Sequence, residues 1–446
     1  MISRLTLLTM ISLIATSVCA QEPADLAATT PTEDSQMAVP PPVNANPYPT
    51  EVASESRSSY LRGGLTFTSM YSDNVFGDVS ANPTSDLSYS VWPFIALDET
   101  TSRARAVLNF DPGFTFYQRT NGRNEADANL GVNVSYRLSP HVTFSVLDTF
   151  HRSSNLLNQP TVPQAPVFGS ASSSAATVVA PIADQLNNTG TAQLTYQFGL
   201  NAMVGVSGTF TNLDYPNKSE VPGLFDSRSQ GGSAFYNYRI SRRHYIGATY
   251  QYQSLFAYPT GFRAQTQTSA AMLFYTFYVQ PTFSISVFGG PQYSDTEESI
   301  LVPLKSWSPA AGASIAWQGK QMNLALSYSR MISAGGGLIG AVHQDAASVI
   351  LHRQLSRVYS AGIQGSYSNT RLLQSNPVPG LGQSSSGHTI QGTASLSRQL
   401  GPHFAFSMNY TRLHQSYSEI AAISRQPDTN QGTVSISYQF ARPLGR

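Results

Sequence analysis

Gln431-Gly432-Thr433-Val434-Ser435-Ile436-Ser437-Tyr438-Gln439-Phe440 is the stretch that decides how this chain folds. Val434, Ile436, Tyr438 and Phe440 fall on one face; Thr433, Ser435, Ser437 and Gln439 fall on the other. Alternation with period two describes a strand whose two faces meet different surroundings. Here the large apolar face ends in two aromatics, and the small polar face suits water. A strand with lipid outside and a wet lumen inside has this pattern.

The bulk composition agrees. Only 11% of the 446 residues are charged, yet mean hydropathy is −0.17. Soluble domains carry about 25% charged residues. A chain poor in charge and in long apolar runs must draw its polarity from Ser, Thr, Asn, Gln and Tyr, as a barrel of alternating strands does. The length allows one large domain or two to three small ones. A soluble all-β sandwich or propeller is the alternative, but a soluble surface this poor in charge would be adhesive.

Residues 1–20 read as a secretory signal: Arg4 supplies the charge, Leu5 to Val18 the apolar core, and Val18-Cys19-Ala20 the cleavage site. Cys19 admits a lipoprotein reading, against which Thr16 and Val18 speak, where that motif wants Leu and a small residue. Cys19 is the only cysteine, so a chain cleaved after Ala20 has neither disulfides nor a thiolate metal site. Residues 21–58 are rich in Pro, Ala, Thr, Ser and acids, and read as a disordered periplasmic arm. Six acids against Arg57 give the arm a net charge of −5. Taking that and Arg4 from the whole-chain +1 leaves +5 for the rest.

From Ser59 onward, amphipathic strands are joined alternately by short and long connections. Four short ones share a pattern: Arg137-Leu138-Ser139-Pro140-His141, Arg239-Ile240-Ser241-Arg242-Arg243-His244, Arg353-Gln354-Leu355-Ser356-Arg357 and Arg398-Gln399-Leu400-Gly401-Pro402-His403. Eight short and nine long connections join about 18 strands, with 16 as the alternative count. Tight turns on the periplasmic side and longer external loops are the habit of transmembrane barrels. Tyr136, Tyr196, Tyr238, Trp317 and Tyr438 lie at strand ends, as interfacial aromatics do. The expectation is an all-β, up-and-down antiparallel transmembrane β-barrel over 59–440, with 441–446 as a C-terminal tail, in a bacterial outer membrane.

Val434 to Phe440 resembles the closing strand of general bacterial porins, which ends in an aromatic pair and serves as their assembly signal. The resemblance makes Tyr438 and Phe440 the signal here. This chain departs by continuing through Ala441 to Arg446. The first hairpin, with Tyr71-Ser72-Asp73-Asn74-Val75-Phe76 and then Asp86 to Pro93, resembles a family of outer-membrane β-barrel porins. Their first strand carries Tyr-x-Asp-Asn-Val/Ile-Phe/Tyr, and some members are associated with exopolysaccharide production and export. Best over 59–155, the resemblance implies either a porin or a barrel of such an export system. Asp73 and Asn74 suit the outer end of the first strand, where the chain turns; ligand or metal binding is the alternative.

Other constellations are thinner. The loop Ser153 to Asn187 lies where general porins fold a loop into the pore, and Pro166-Val167-Phe168-Gly169 is faintly like that loop, without its acid. A plain external loop is the other reading. Arg137, Arg239, Arg353 and Arg398 recur at short turns, either snorkelling to the interface or reaching solutes in the lumen. Asp148 and His151 are an odd number of residues apart and point opposite ways, so they make no catalytic pair. No catalytic, cofactor or metal site is expected, nor a nucleic-acid partner. The expected partners are outer-membrane lipid, the barrel assembly machinery and, on the second reading, polysaccharide export components. The function expected is a passive channel for small polar or anionic solutes. The +5 charge predicts weak anion preference; cation preference would put acids such as Asp148 or Asp214 in the lumen.

Overall fold

The computed structural model describes residues 59–76, 82–120, 122, 124–153, 184–217, 224–258, 263–298, 304–334, 341–373, 386–417 and 428–444. Residues 1–58, read above as signal and arm, and Pro166 to Gly169 lie outside them.

Eighteen strands follow in order: β1 (Tyr60–Ser72), β2 (Asp86–Thr100), β3 (Ala104–Tyr117), β4 (Glu125–Arg137), β5 (Val142–Ser153), β6 (Gln185–Phe198), β7 (Ala202–Asp214), β8 (Asp226–Arg239) and β9 (His244–Tyr258). The second half runs β10 (Ala264–Gln280), β11 (Phe283–Glu298), β12 (Leu304–Gln318), β13 (Met322–Ala334), β14 (Ala341–Gln354), β15 (Tyr359–Leu372), β16 (Ser386–Gln399), β17 (Phe404–Tyr417) and β18 (Asp428–Pro443). Each pairs antiparallel with its neighbours in sequence, and β1 pairs with β18, so the sheet closes. Eight connections are short and nine long. Both ends of the barrel wall therefore lie at the short-turn end.

The register sorts every strand into an inner and an outer face. Leu65, Phe67 and Tyr71 face outward on β1, Leu65 opposite Tyr438 and Pro93, Phe67 opposite Ile436 and Val91, and Tyr71 opposite Gly432 and Leu87; Thr66, Thr68 and Ser72 face inward and are buried. The outer face of β12 carries Trp307 and Trp317, ten residues apart. At about 3.4 Å per residue and a tilt near 45°, they stand about 24 Å apart along the barrel axis. That matches the height of an apolar belt between two aromatic girdles.

The four turns with the shared sequence pattern are one construction. The N–H groups of Leu138, Ile240, Leu355 and Leu400 each donate to the carbonyl four residues on, all at 2.9 Å. The Phe198–Ala202 turn is different: Gly199 has φ 78°, a conformation that favours glycine.

The last strand outruns the expected end of the barrel. Ala441, Arg442 and Pro443 continue the ladder opposite Arg62, Leu61 and Tyr60. The Leu444 N–H then donates to the Ser59 carbonyl at 2.9 Å. Phe440 owes its place to Gly63: a Cβ on Gly63 would come within 2.8 Å of the Phe440 ring, so the missing side chain leaves the ring room to lie there.

Candidate luminal site

The inner face is mostly neutral. On it, hydroxyls of neighbouring strands bond in pairs: Ser327 with Ser348 at 2.7 Å, Ser360 with Ser397 at 2.5 Å, Thr393 with Thr411 at 3.1 Å and Ser407 with Ser435 at 2.5 Å. Ser207–Ser233 and Thr276–Ser286 repeat the device across the barrel. Directly opposite residues of an antiparallel pair share a face, which brings these short side chains within reach of each other. The result is a wall that wets well without charge.

Ionised inward side chains gather on β1 to β4. Asp86, Asp98, Asp111, Glu125 and Asp127 share that face with Arg62, Arg105 and Arg137; Arg239 of β8 joins them at the short-turn end. Asp98 and Arg105 stand 3.8 Å apart. The carboxylate of Asp86 is taken up by its own surroundings, accepting from the Arg119 and Thr120 N–H groups and the Thr120 hydroxyl at 2.6 to 3.2 Å. Arg353 and Arg398 face outward instead, Arg398 with its guanidinium 5.2 Å from the Tyr359 ring centroid. Asp148 and Asp214 also face outward, so neither lines the lumen. His151 faces inward, away from Asp148, and its Nδ1 lies 2.8 Å from Asn129 Oδ1.

The lumen narrows at β13. The β12–β13 ladder ends at Ala311 and Arg330, although β12 continues to Leu304 and β13 to Ala334. In the same register, Pro309 would face Ile332. Pro291 and Pro309 pair on β11 and β12. Two prolines cannot exchange N–H bonds, so that pair is of the non-hydrogen-bonded kind, and Pro309 turns its nitrogen toward β13. It has no N–H to donate there. Beyond this point β13 leaves β12 and enters the barrel. Met331 packs on Ala270, Met272 and Ala310, and Ile332 packs on Leu255 and Ala341. Leu255 belongs to the inner face of β9, four strands from β13 around the wall, so the contact crosses the lumen. The Ile332 N–H donates to Gln292 Oε1 of β11 at 3.1 Å.

The sequence reading did not find this contact. A signal was present: Met331-Ile332, Leu255-Phe256-Ala257 and Ala341-Val342 are adjacent apolar residues that break the period of two. All but Met331 are buried.

The residues of the porin-like first-strand motif come together at the barrel seam. Asp73 accepts from the Asn430 N–H and from Asn430 Nδ2, both at 2.7 Å. The Asp73 N–H donates to the Asn430 carbonyl at 3.1 Å, and Asn74 Nδ2 donates to the Asp428 carbonyl at 3.2 Å. Val75 is buried and its N–H donates to the Thr84 carbonyl at 2.9 Å. Tyr71 faces outward, half exposed. The arrangement extends the β1–β18 closure beyond Ser72.

A groove of about 670 Å³ opens among Leu194, Tyr196, Val206, Tyr236, Tyr250 and Leu273. These residues face outward, so the groove belongs to the apolar belt and not to the solute path.

No family description matches the chain, and no curated protein matches it in sequence. Solved structures do align with it. OccK2 (OpdF) of Pseudomonas aeruginosa does so at a TM-score of 0.43 and 10% identity, covering 88% of this chain and 99% of that one. The outer membrane protein OpdK of the same organism aligns at 0.40 and 9%, covering 86% and 99%. OccAB4 of Acinetobacter baumannii aligns at 0.40 and 10%, covering 87% and 99%. OccK2 has also been solved in complex with glucuronate.

Proposed function

We propose that the protein is a bacterial outer-membrane channel, passive and porin-like, for small polar solutes, uncharged or anionic. One observation carries the reading: a closed 18-stranded barrel with an apolar outer belt and an inner face of paired hydroxyls, narrowed from within by β13. A barrel of this size has an interior too wide for side chains alone to fill. The hydroxyl pairs already satisfy one another, so they offer passing solutes weak, exchangeable hydrogen bonds and no deep trap. Arg62, Arg105, Arg137 and Arg239 give anions a favourable short-turn mouth, tempered there by Asp98, and Asp86, Asp111, Glu125 and Asp127 oppose them farther in. The chemistry is passage, with no catalytic step.

Purified protein in planar bilayers should show discrete conductance steps, and liposomes containing it should swell in small sugars faster than in larger ones. Bilayers that stay silent, with liposomes that do not swell, would overturn the channel. The export reading assigns residues 21–58 to a periplasmic partner. Deleting them leaves conductance intact in a channel and abolishes secretion in an export component.

A further inference from the structure

The outer face of β13 to β17 carries side chains that a solute path does not use. Tyr328, Tyr367 and Tyr410 stand on this face. Just beyond them lie Arg330, Arg371 and Arg412, two or four residues farther along their strands and on the same outward register. His343 is the ladder partner of Arg371, and the His388 and His414 rings are 5.5 Å apart. Two carboxylates temper the band: Asp345 is 3.8 Å from Arg330 and Asp428 is 3.6 Å from Arg412. Arg371 is exposed and has no ion-pair partner among the described residues. Neighbouring strands lie about 4.8 Å apart, so guanidinium groups on alternate strands recur roughly every 10 Å around the wall.

We propose that this band is a binding surface for a phosphorylated lipid of the outer leaflet. The inference rests on the outer-membrane reading above. A guanidinium fork matches phosphate oxygens in two-point geometry, and it tolerates the interface better than an ammonium does. On each strand the tyrosine stands nearer the middle of the apolar belt and the arginine nearer the long loops, where its guanidinium reaches toward the headgroups. A ligand that meets both must carry phosphate and acyl chains together. That favours a lipid over a free anion, and a lipid over a second copy of this chain, whose matching band would be equally cationic.

The test uses purified full-length protein in neutral detergent. Its thermal midpoint is followed while lipid A, phosphatidylcholine or inorganic phosphate is added. Lipid A should raise the midpoint, reversibly with salt, and the other two should not. The variant Arg330→Gln/Arg371→Gln/Arg412→Gln should bind lipid A at least roughly tenfold more weakly, with conductance unchanged. The single change Arg371→Gln, which breaks no ion pair, should show the same trend if the triple variant does not assemble. An equal effect of phosphatidylcholine or of inorganic phosphate, or unweakened binding in Arg371→Gln, would overturn the proposal. Failure of the channel reading shows separately, as absent conductance with lipid binding intact.

Discussion

Gln292 on β11 accepts the backbone N–H of Ile332 on β13, reaching past β12 to do so at 3.1 Å. Pro309 weakens the rung that would otherwise hold Ile332, because it has no N–H to donate to the Ile332 carbonyl. With the ladder rung at Pro309 missing one donor, β13 gains more by burying Met331 and Ile332 inside the barrel than by following β12. The glutamine then supplies the hydrogen bond that a buried N–H requires.

Replacing Gln292 by Leu leaves the buried Ile332 N–H without that partner, which costs about 1–3 kcal/mol locally. The inward turn of β13 should loosen. The expected outcome is larger and noisier single-channel conductance with unchanged assembly yield. Conductance identical to that of the parent protein would show that the narrowing does not depend on this bond.

Asp73→Ala removes two acceptor contacts to Asn430 at the seam. Hydrogen bonds to charged groups contribute about 1.5–3 kcal/mol each, less where water competes. On a detergent gel, the temperature at which the folded band is lost should fall. Asn430→Ala should lower it by a similar amount, and the double variant should add little to either. Fully additive effects would mean that the two residues act separately.

Phe440→Ser uncovers Gly63 and should reduce the folded protein recovered from the outer membrane. Deleting residues 441–446 removes the rungs to Tyr60, Leu61 and Arg62. It should lower thermal resistance while leaving assembly yield close to normal. A deletion as damaging to yield as the substitution would move the assembly signal into the last six residues.

Asp148 points outward from the middle of β5, between Val132 and Gly190 of the flanking strands. It has no hydrogen bond or ion pair among the described residues. A carboxylate on the lipid face costs stability. Asp148→Leu should therefore raise unfolding stability by about 1–2 kcal/mol in reversible urea titrations in lipid vesicles. A loss of stability would reveal a polar neighbour pressed against this face.

Asp111 and Asp127 face the lumen, opposed by arginines that lie nearer the short turns. Asp111→Asn/Asp127→Asn should shift the reversal potential in a salt gradient toward anions, and the shift should shrink as salt is raised. Movement toward cations would place the conducting path away from β3 and β4.

Much of this fold was legible because a barrel wall repeats one simple rule. Val434 to Phe440 reports both faces of a strand by itself, and the alternation of short and long connections yields the strand number and the even parity. The positions that mattered for the narrowing follow another rule. Met331, Ile332, Leu255 and Val342 make sense only after β13 has crossed the lumen, and no local period encodes a contact between β9 and β13. Charge by itself does not mark the lumen either: Asp148 shares the outer register with Val146 and Phe150, whereas Asp111 and Asp127 face inward, and only the register tells them apart. The end at Phe440 was taken from porin chains that stop there, whereas here the Arg62–Ala441 rung carries the sheet onward.

The closing seam also sets an order of events. Asp73 and Asn430 are 357 positions apart in the chain, so every other strand is made before they can meet. Contacts at such separation form slowly, because the chain must give up its freedom before they reward it. Until then the first and last strands present bare edges that invite pairing with the wrong neighbour. The yield of closed barrel is therefore set by how long those two edges stay bare before Asn430 reaches Asp73.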